Sequence, residues 1–288
     1  MNKLHVIVAS YNREATTVRA LRSLREAAAE AAIDFDVTLF DDGSSDGTIA
    51  AAFAAVEHLD VLRGDGSAFW ARSMATAERA VLSRDDVAEE DLLMWFNDDV
   101  NLAPSGLQNL IRASNVLAPG VLVGSTVDEN SGELTYGGLR RGGLHPLAFD
   151  LVQPPSDATE GVRVDAFNGN VVLMPVHVAR AIGPIDGGFS HAFADVDYGM
   201  RASTSGIPVW ATGGTVGYCS RNPVVHQPSL GAGWRAYVGK KGAGNPRSLQ
   251  RYLRRHSPRW WWFFFTSSYA LWWARSLQRG IQRRGFAS

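Results

Sequence analysis

One cysteine, Cys219, stands in 288 residues. No disulfide within the chain and no cysteine-based zinc site can be built from it, and a reducing compartment fits. Acid is missing from a long stretch: no Asp or Glu follows Asp197. The first 197 residues carry 29 acidic and 14 basic side chains, a net −15, and the last 91 carry 14 basic ones, a net +14. So one-sided a tail suggests a meeting with something anionic: a membrane surface, nucleic acid or phosphates. Long apolar runs are scarce as well. The first, at 4–9, is too short for a secretory signal and breaks at Ser10-Tyr11-Asn12, so it reads as a buried strand. With 45% hydrophobic residues the chain can still fill a full-sized core, which excludes disordered and collagen-like classes.

What is present alternates. After the strand at 4–9, residues 13–32 carry Val18, Leu21 and Leu24 at helical spacing. A strand at 35–40 stops at Asp41-Asp42-Gly43, and Asp46 is placed to cap a helix through Phe53. Strands are expected at 59–62, 92–96 and 121–124, with helices at 69–82 and 104–117 between them. This order predicts a mostly parallel α/β sheet flanked by helices, Rossmann-like. Residues 131–155 are rich in Gly and Pro and predict loops or hairpins. Beyond them come strands at 171–174 and 209–212 and short helices at 176–182 and 196–205.

Ligands of open α/β sheets bind beyond the carboxyl ends of the strands. Three polar clusters fall on that rim: Ser10-Tyr11-Asn12-Arg13, the acidic turn Asp41-Asp42-Gly43-Ser44-Ser45-Asp46-Gly47-Thr48, and Asn97-Asp98-Asp99. Adjacent carboxylates at a strand end repel unless they are solvated or hold a cation, and a hard divalent ion prefers such oxygens while keeping places for substrate phosphates. The turn at 41–48 is too acidic to cradle phosphate. It suits helix capping, or contact with ribose hydroxyls or a base NH.

In order, these blocks resemble the family 2 glycosyltransferases of the GT-A fold. Two further blocks agree: Phe167-Asn168-Gly169-Asn170-Val171-Val172-Leu173-Met174 with Gly183-Pro184-Ile185-Asp186-Gly187-Gly188-Phe189, and Phe193-Ala194-Asp195-Val196-Asp197-Tyr198-Gly199-Met200-Arg201. They cover roughly residues 1–230, and the rhamnosyltransferase-like branch is the nearest match. The resemblance implies a nucleotide-sugar-binding half at 1–125 and an acceptor-binding half at 126–230; the change in composition beyond them marks a basic, aromatic helical tail at 231–288. It implies Ser10, Tyr11, Arg13, Asp42, Arg72 and Asp98 around a UDP- or dTDP-linked donor, with Tyr11 stacking on the base. Asp99 resembles the metal ligand of the DXD motif for Mn2+ or Mg2+, and His226 resembles the late histidine that some GT-A enzymes place on the metal. Asp195 matches the general base, although Ala194 stands where the family often has Glu. Trp70, Asn168, His191 and Asp197 are expected around the acceptor. The implied reaction is direct displacement with inversion. Lys240-Lys241 could help hold the diphosphate.

The tail holds a basic stretch from Arg247 to Arg259, then Trp260-Trp261-Trp262-Phe263-Phe264-Phe265 and Tyr269-Ala270-Leu271-Trp272-Trp273. An aromatic block of this length falls short of the about 20 apolar residues of a membrane span. Tryptophan, tyrosine and flanking arginines favour an anionic bilayer surface, here the cytoplasmic inner face, and hence a glycan or lipid-linked acceptor. Packing on the domain or on a second subunit is the other reading. No nucleic-acid motif accompanies the basic residues. Two other functions share such a sheet. A nucleotidyltransferase usually carries a Gly-rich basic loop after the first strand, which Ser10-Tyr11-Asn12-Arg13 lacks, and a non-catalytic binding module has no need of Asp98, Asp99 and Asp195.

Overall fold

The computed structural model describes residues 2–221 and 227–285, with side chains as far as Gln278. The first half alternates as the apolar spacing predicts: β1 (Leu4–Ser10), α1 (Glu14–Glu30), β2 (Phe35–Asp41), α2 (Thr48–Ala55), β3 (Leu59–Arg63), α3 (Phe69–Leu82) and β4 (Leu92–Phe96). Next come β5 (Asn101–Leu102), α4 (Gly106–Val116) and β6 (Val121–Val123). The Gly- and Pro-rich middle forms short strands: β7 (Thr126–Val127), β8 (Leu134–Tyr136), β9 (Gly138–Arg141), β10 (Phe149–Leu151), β11 (Gly161–Arg163) and β12 (Ala166–Phe167). Then follow β13 (Val171–Pro175), α5 (Val176–Ile182), α6 (Ala194–Thr204), β14 (Val209–Thr212), β15 (Gly217–Tyr218), α7 (Leu230–Val238), α8 (Pro246–His256) and α9 (Trp261–Gly285).

The main sheet runs β11-β14-β6-β13-β4-β1-β2-β3. β3, β2, β1 and β4 are mutually parallel. β13 enters antiparallel between β4 and β6, and β11 is antiparallel at the edge. Both faces are covered, so the strands read as nearly unbroken apolar runs. Side chains alternate between faces: Val6, Val8, Met94 and Phe96 pack on the α1 and α4 side, while Ile7, Leu93 and Trp95 pack on the α3 and α6 side.

The region beyond residue 231 is less separate than a tail. Asn245 caps α8 by accepting the Ser248 amide at 3.2 Å, with Pro246 at the first helical position. Leu249, Tyr252 and Leu253 of α8 are fully buried in the same core as Trp95 and Tyr198. Along α9, Trp261, Phe264, Phe265 and Tyr269 turn inward onto that core, whereas Trp262, Phe263, Trp273 and Leu277 are exposed. Among the described residues, no helix is long and apolar enough to cross a membrane.

Candidate active site

The sheet register builds one rim. Pairing of Ser10 with Asp41 sets the turn after β1 beside the acidic turn after β2. Asn12, at φ 50, donates its amide to Ser44 Oγ at 2.8 Å and accepts the Ser45 amide on Oδ1 at 2.8 Å. Pairing of Phe96 with Val171 sets residues 168–170 beside Asn97, whose amide donates to the Asn170 carbonyl at 2.9 Å.

Asp98 is buried and Asp99 half-buried at the end of β4. Arg13 bridges them: Nη1 donates to Asp98 Oδ1 at 2.8 Å and Nη2 to Asp99 Oδ2 at 3.2 Å. Burial, reinforced by the charge of Asp99, pushes the Asp98 carboxyl up to about 6 despite the opposing charge of Arg13. Burial alone would lower the Arg13 guanidinium, but the two aspartates outweigh it and hold it above its ordinary value. The other two oxygens are less well served. The Ser10 and Thr17 hydroxyls bear on the Asp98 carboxylate, but its Oδ2 has no partner in good hydrogen-bond geometry among the described residues, and Asp99 Oδ1 faces the Cys219 thiol at 3.6 Å. Asn170 Nδ2 donates to Cys219 Sγ at 3.5 Å, and burial with the Asp99 charge pushes the thiol up to about 12. In the sequence Cys219 served only to exclude a disulfide and a cysteine-based zinc site and to suggest a reducing compartment. Its place here follows from the pairing of Tyr218 with Asn101, which nothing in the local sequence announces.

A divalent cation fits this donor set. Hard carboxylate oxygens lie at a strand end, one of them buried without a partner, and Mg2+-like ions commonly take one or two carboxylates plus substrate phosphates. Among the described residues no cluster of three His, Cys, Asp or Glu could hold a metal ion without such added ligands. His226 lies outside the described residues.

Asp42 is buried and its carboxylate is taken up by backbone: Oδ1 accepts the amides of Gly66 and Ala68 at 3.0 and 3.2 Å, and Oδ2 accepts that of Phe69 at 3.0 Å. It therefore fixes the turn into α3. Gly66 in that turn is at φ 84, which favours glycine, and the exposed Tyr11 ring stands next to it. Lys240 lies over the Phe69 ring at 5.3 Å.

Asp195 lies in the first turn of α6, which starts at Ala194, two residues before the start at 196 that the sequence pattern predicts. Its Oδ1 accepts the Val196 amide at 2.9 Å and its Oδ2 the Gly169 amide at 3.1 Å. Burial raises its proton affinity above that of an ordinary aspartate, against the pull of those amides. Trp70 Nε1 donates to Asn97 Oδ1 at 2.8 Å, and the indole packs edge-on to Trp95 at 6.1 Å. A Cβ added at Gly169 would lie 2.8 Å from Trp70 and 3.2 Å from Asp195. The Asp98–Asp99 turn is thus joined to Asp195 through Asn97, Trp70 and Gly169.

Asn168 is half-buried, and its amide donates to the Gly137 carbonyl at 3.0 Å. Arg72 and His191 are exposed, and the Arg72 backbone runs close beside Gly187. Asp197 does not face an acceptor. It is fully buried and bonds Arg201 Nε at 3.0 Å, Arg255 Nη1 at 2.6 Å and His256 Nε2 at 2.9 Å. Helical spacing turns it to the face of α6 that α8 covers. A cleft of about 280 Å3 flanks Asp99, lined by Arg13, Arg19, Tyr218, Cys219 and their neighbours. A larger cavity, about 990 Å3, opens at the other end of the sheet around Asp34, Phe35 and His58, away from these carboxylates.

Residues 5–168 match the model of glycosyl transferase family 2. The chain belongs to that family. Its fold is the GT-A fold of solved glycosyltransferases. The mannosyltransferase PcManGT from Pyrobaculum calidifontis, in complex with GDP-Man and Mn2+, superposes with a TM-score of 0.55 at 15% identity, over 93% of this chain and 69% of that one. S. aureus TarS 1-349, in complex with UDP-GlcNAc, superposes with a TM-score of 0.58 at 15% identity, over 88% of this chain and 65% of that one. The chain spans 37% of the longer S. aureus TarS structure. A search of curated proteins finds no match.

Proposed function

We propose that this family 2 chain is an inverting glycosyltransferase that moves a sugar from a nucleoside-diphosphate sugar to an acceptor hydroxyl. The observation that carries the reading is the continuity of the Asp98–Asp99 pair with Asp195 through Asn97, Trp70 and Gly169. Neighbours of the same fold hold GDP-Man and UDP-GlcNAc, which supports a nucleotide-sugar donor. Tyr11 is open to stack on the base. Asp42 contributes by fixing the turn at 66–69 beneath Tyr11. Arg72 borders the donor, and Trp70, Asn168 and His191 border the acceptor; Ser10, buried with its hydroxyl on Thr17 at 2.8 Å, supports the turn beneath the donor instead of touching it. Asp99, with Asp98, would hold Mn2+ or Mg2+, which when bound neutralises charge on the departing diphosphate. Asp195 takes the acceptor proton on a carboxylate oxygen as the hydroxyl attacks the anomeric carbon. Its raised proton affinity suits that task. The attack comes from the face opposite the leaving group, so one displacement inverts the anomeric centre.

Calorimetry with UDP, dTDP and GDP, with and without Mn2+, tests this, followed by a donor panel that includes dTDP-rhamnose. One nucleotide should bind metal-dependently, and its sugar conjugate should be consumed. If none of the three binds under either condition, the reading is wrong.

The exposed face of α9 supports a second element of the proposal, a peripheral position on an anionic membrane and a lipid-linked acceptor for surface glycan synthesis. Trp262, Phe263, Trp273 and Leu277 form an outward apolar stripe on a helix whose other side is also apolar, in a region of 91 residues with no acidic side chain. Vesicle co-sedimentation of the full chain and of a form ending at residue 258 tests it. The truncation keeps α8 in the core. Equal partition of the two forms onto anionic vesicles would remove this element.

A further inference from the structure

Arg13 occupies a position that a nucleotide-binding arginine alone does not explain. Its guanidinium spans both carboxylates of the Asp98–Asp99 pair, at 2.8 and 3.2 Å, and so balances one of their two charges. The side chain is 41% exposed and borders the 280 Å3 cleft beside Asp99, so it has room to leave. Asp98 is 5% exposed, and besides the guanidinium only the Ser10 and Thr17 hydroxyls bear on its carboxylate, so Arg13 is the one positive charge held against it.

We propose that Arg13 is a specificity-determining residue that makes the carboxylate pair take a divalent cation together with a nucleoside diphosphate and disfavour the cation alone. The inference rests on the transferase reading of the site. Charge decides it. A free divalent ion entering at Asp99 meets two carboxylates and a guanidinium, and the ensemble becomes net positive in a partly buried place. The ion must also compete with two charge-assisted hydrogen bonds. A diphosphate changes both terms. It supplies oxygens for the cation, and its negative charge gives the guanidinium another partner of suitable geometry. Arg13 then turns from the aspartates to the phosphates, and the pair is freed for the cation. By reciprocity the cation strengthens nucleotide binding by the same factor.

The exchange also explains why an arginine serves here. A lysine is a point charge and cannot bridge two separate carboxylates with a fixed fork.

The test is a Mn2+ titration of the full chain, read by electron paramagnetic resonance of free Mn2+, alone and with saturating UDP, dTDP or GDP. Arg13→Gln should bind Mn2+ alone roughly tenfold or more tightly than the unaltered protein, and the gain on adding nucleotide should shrink. Arg13→Lys, which keeps the charge without the fork, should fall between and serves if the glutamine variant does not fold. Equal or weaker binding of Mn2+ alone by the variants, with unchanged melting temperature, overturns the proposal. Failure of the unaltered protein to bind any of the three nucleotides with Mn2+ would instead overturn the transferase reading.

Discussion

Trp70 and Asp195 close on Gly169 from two sides. A methyl group on that glycine would lie 2.8 Å from the indole and 3.2 Å from Asp195 Cβ. The indole cannot easily yield, because its Nε1 is bonded to Asn97 at 2.8 Å and its ring packs on Trp95. Gly169→Ala should therefore displace Asp195 or break the Trp70–Asn97 bond. Overpacking of this kind costs about 1–3 kcal/mol. The expected result is a modest loss of melting temperature and a fall in kcat of roughly a hundredfold, since small misplacements of reacting groups cost that much. Transfer kinetics and thermal melts on the same preparation check it. A variant with unaltered kcat would show that the contact has no bearing on catalysis.

Asp195 should be needed for transfer and dispensable for donor binding. Asp195→Asn keeps the shape and removes the base, so kcat should drop on the order of a thousandfold while calorimetric affinity for the nucleotide holds. The pH dependence has a definite sign. Burial raises the proton affinity of Asp195, and a base must be unprotonated to act. Activity should fall as pH drops through a value above the ordinary aspartate range, with a high-pH plateau for this limb. If the acid limb lay at or below that range, Asp195 would not be the titrating base.

The strands and helices of the first half were legible because each apolar run is bounded by a turn residue. α3, for example, spans 69–82 as its spacing predicts. The rim was legible for the same reason, since polar clusters at the ends of parallel strands must share an edge. What local pattern could not carry was partner choice across long separations. Asp42 reads as an open carboxylate until the amides of residues 66–69 are seen on it. Cys219 reaches Asp99 only through the pairing of β15 with β5. The arginines of 247–259 read as a free basic stretch, yet Arg251 and Arg255 bind Asp186, and Arg255 also binds Asp197. Charge counts are blind to such pairing.

Asp197 should accordingly behave as a structural residue. It is fully buried among Arg201, Arg255 and His256, and removing one member of a buried ion pair costs about 3–5 kcal/mol. Asp197→Ala should lower stability by that order in denaturant unfolding, and Arg255→Ala by a smaller amount because Arg255 is partly exposed. Although burial alone would raise it, the bonds from His256 and Arg255 hold the Asp197 carboxyl below its ordinary value. A depressed acid stabilises the fold above its unfolded pKa, and that share is lost as pH falls through the folded value. Acid unfolding should therefore occur at higher pH when Arg255 is removed. An unshifted acid midpoint would argue against the network.

Glu78 presents the opposite case. It is fully buried on α3, its Oε2 accepts the Ile185 amide at 2.6 Å, and its Oε1 has no hydrogen-bond partner among the described residues. Burial pushes its carboxyl up to about 8, against the lowering effect of the Ile185 amide. At neutral pH the folded protein then holds a proton there that the unfolded chain, with an ordinary glutamate, has released. Stability must fall as pH rises between the unfolded value and about 8, by up to ~1.4 kcal/mol per pH unit. Below that window the proton is bound in both states and the contribution vanishes. Glu78→Gln cannot ionise, so its melting temperature should change less across the window and should exceed that of the unaltered protein at pH 8.5, though not at pH 5. Parallel melting curves against pH for the two proteins would mean that Glu78 is ionised in the fold and that a neighbour, such as Arg201, compensates it.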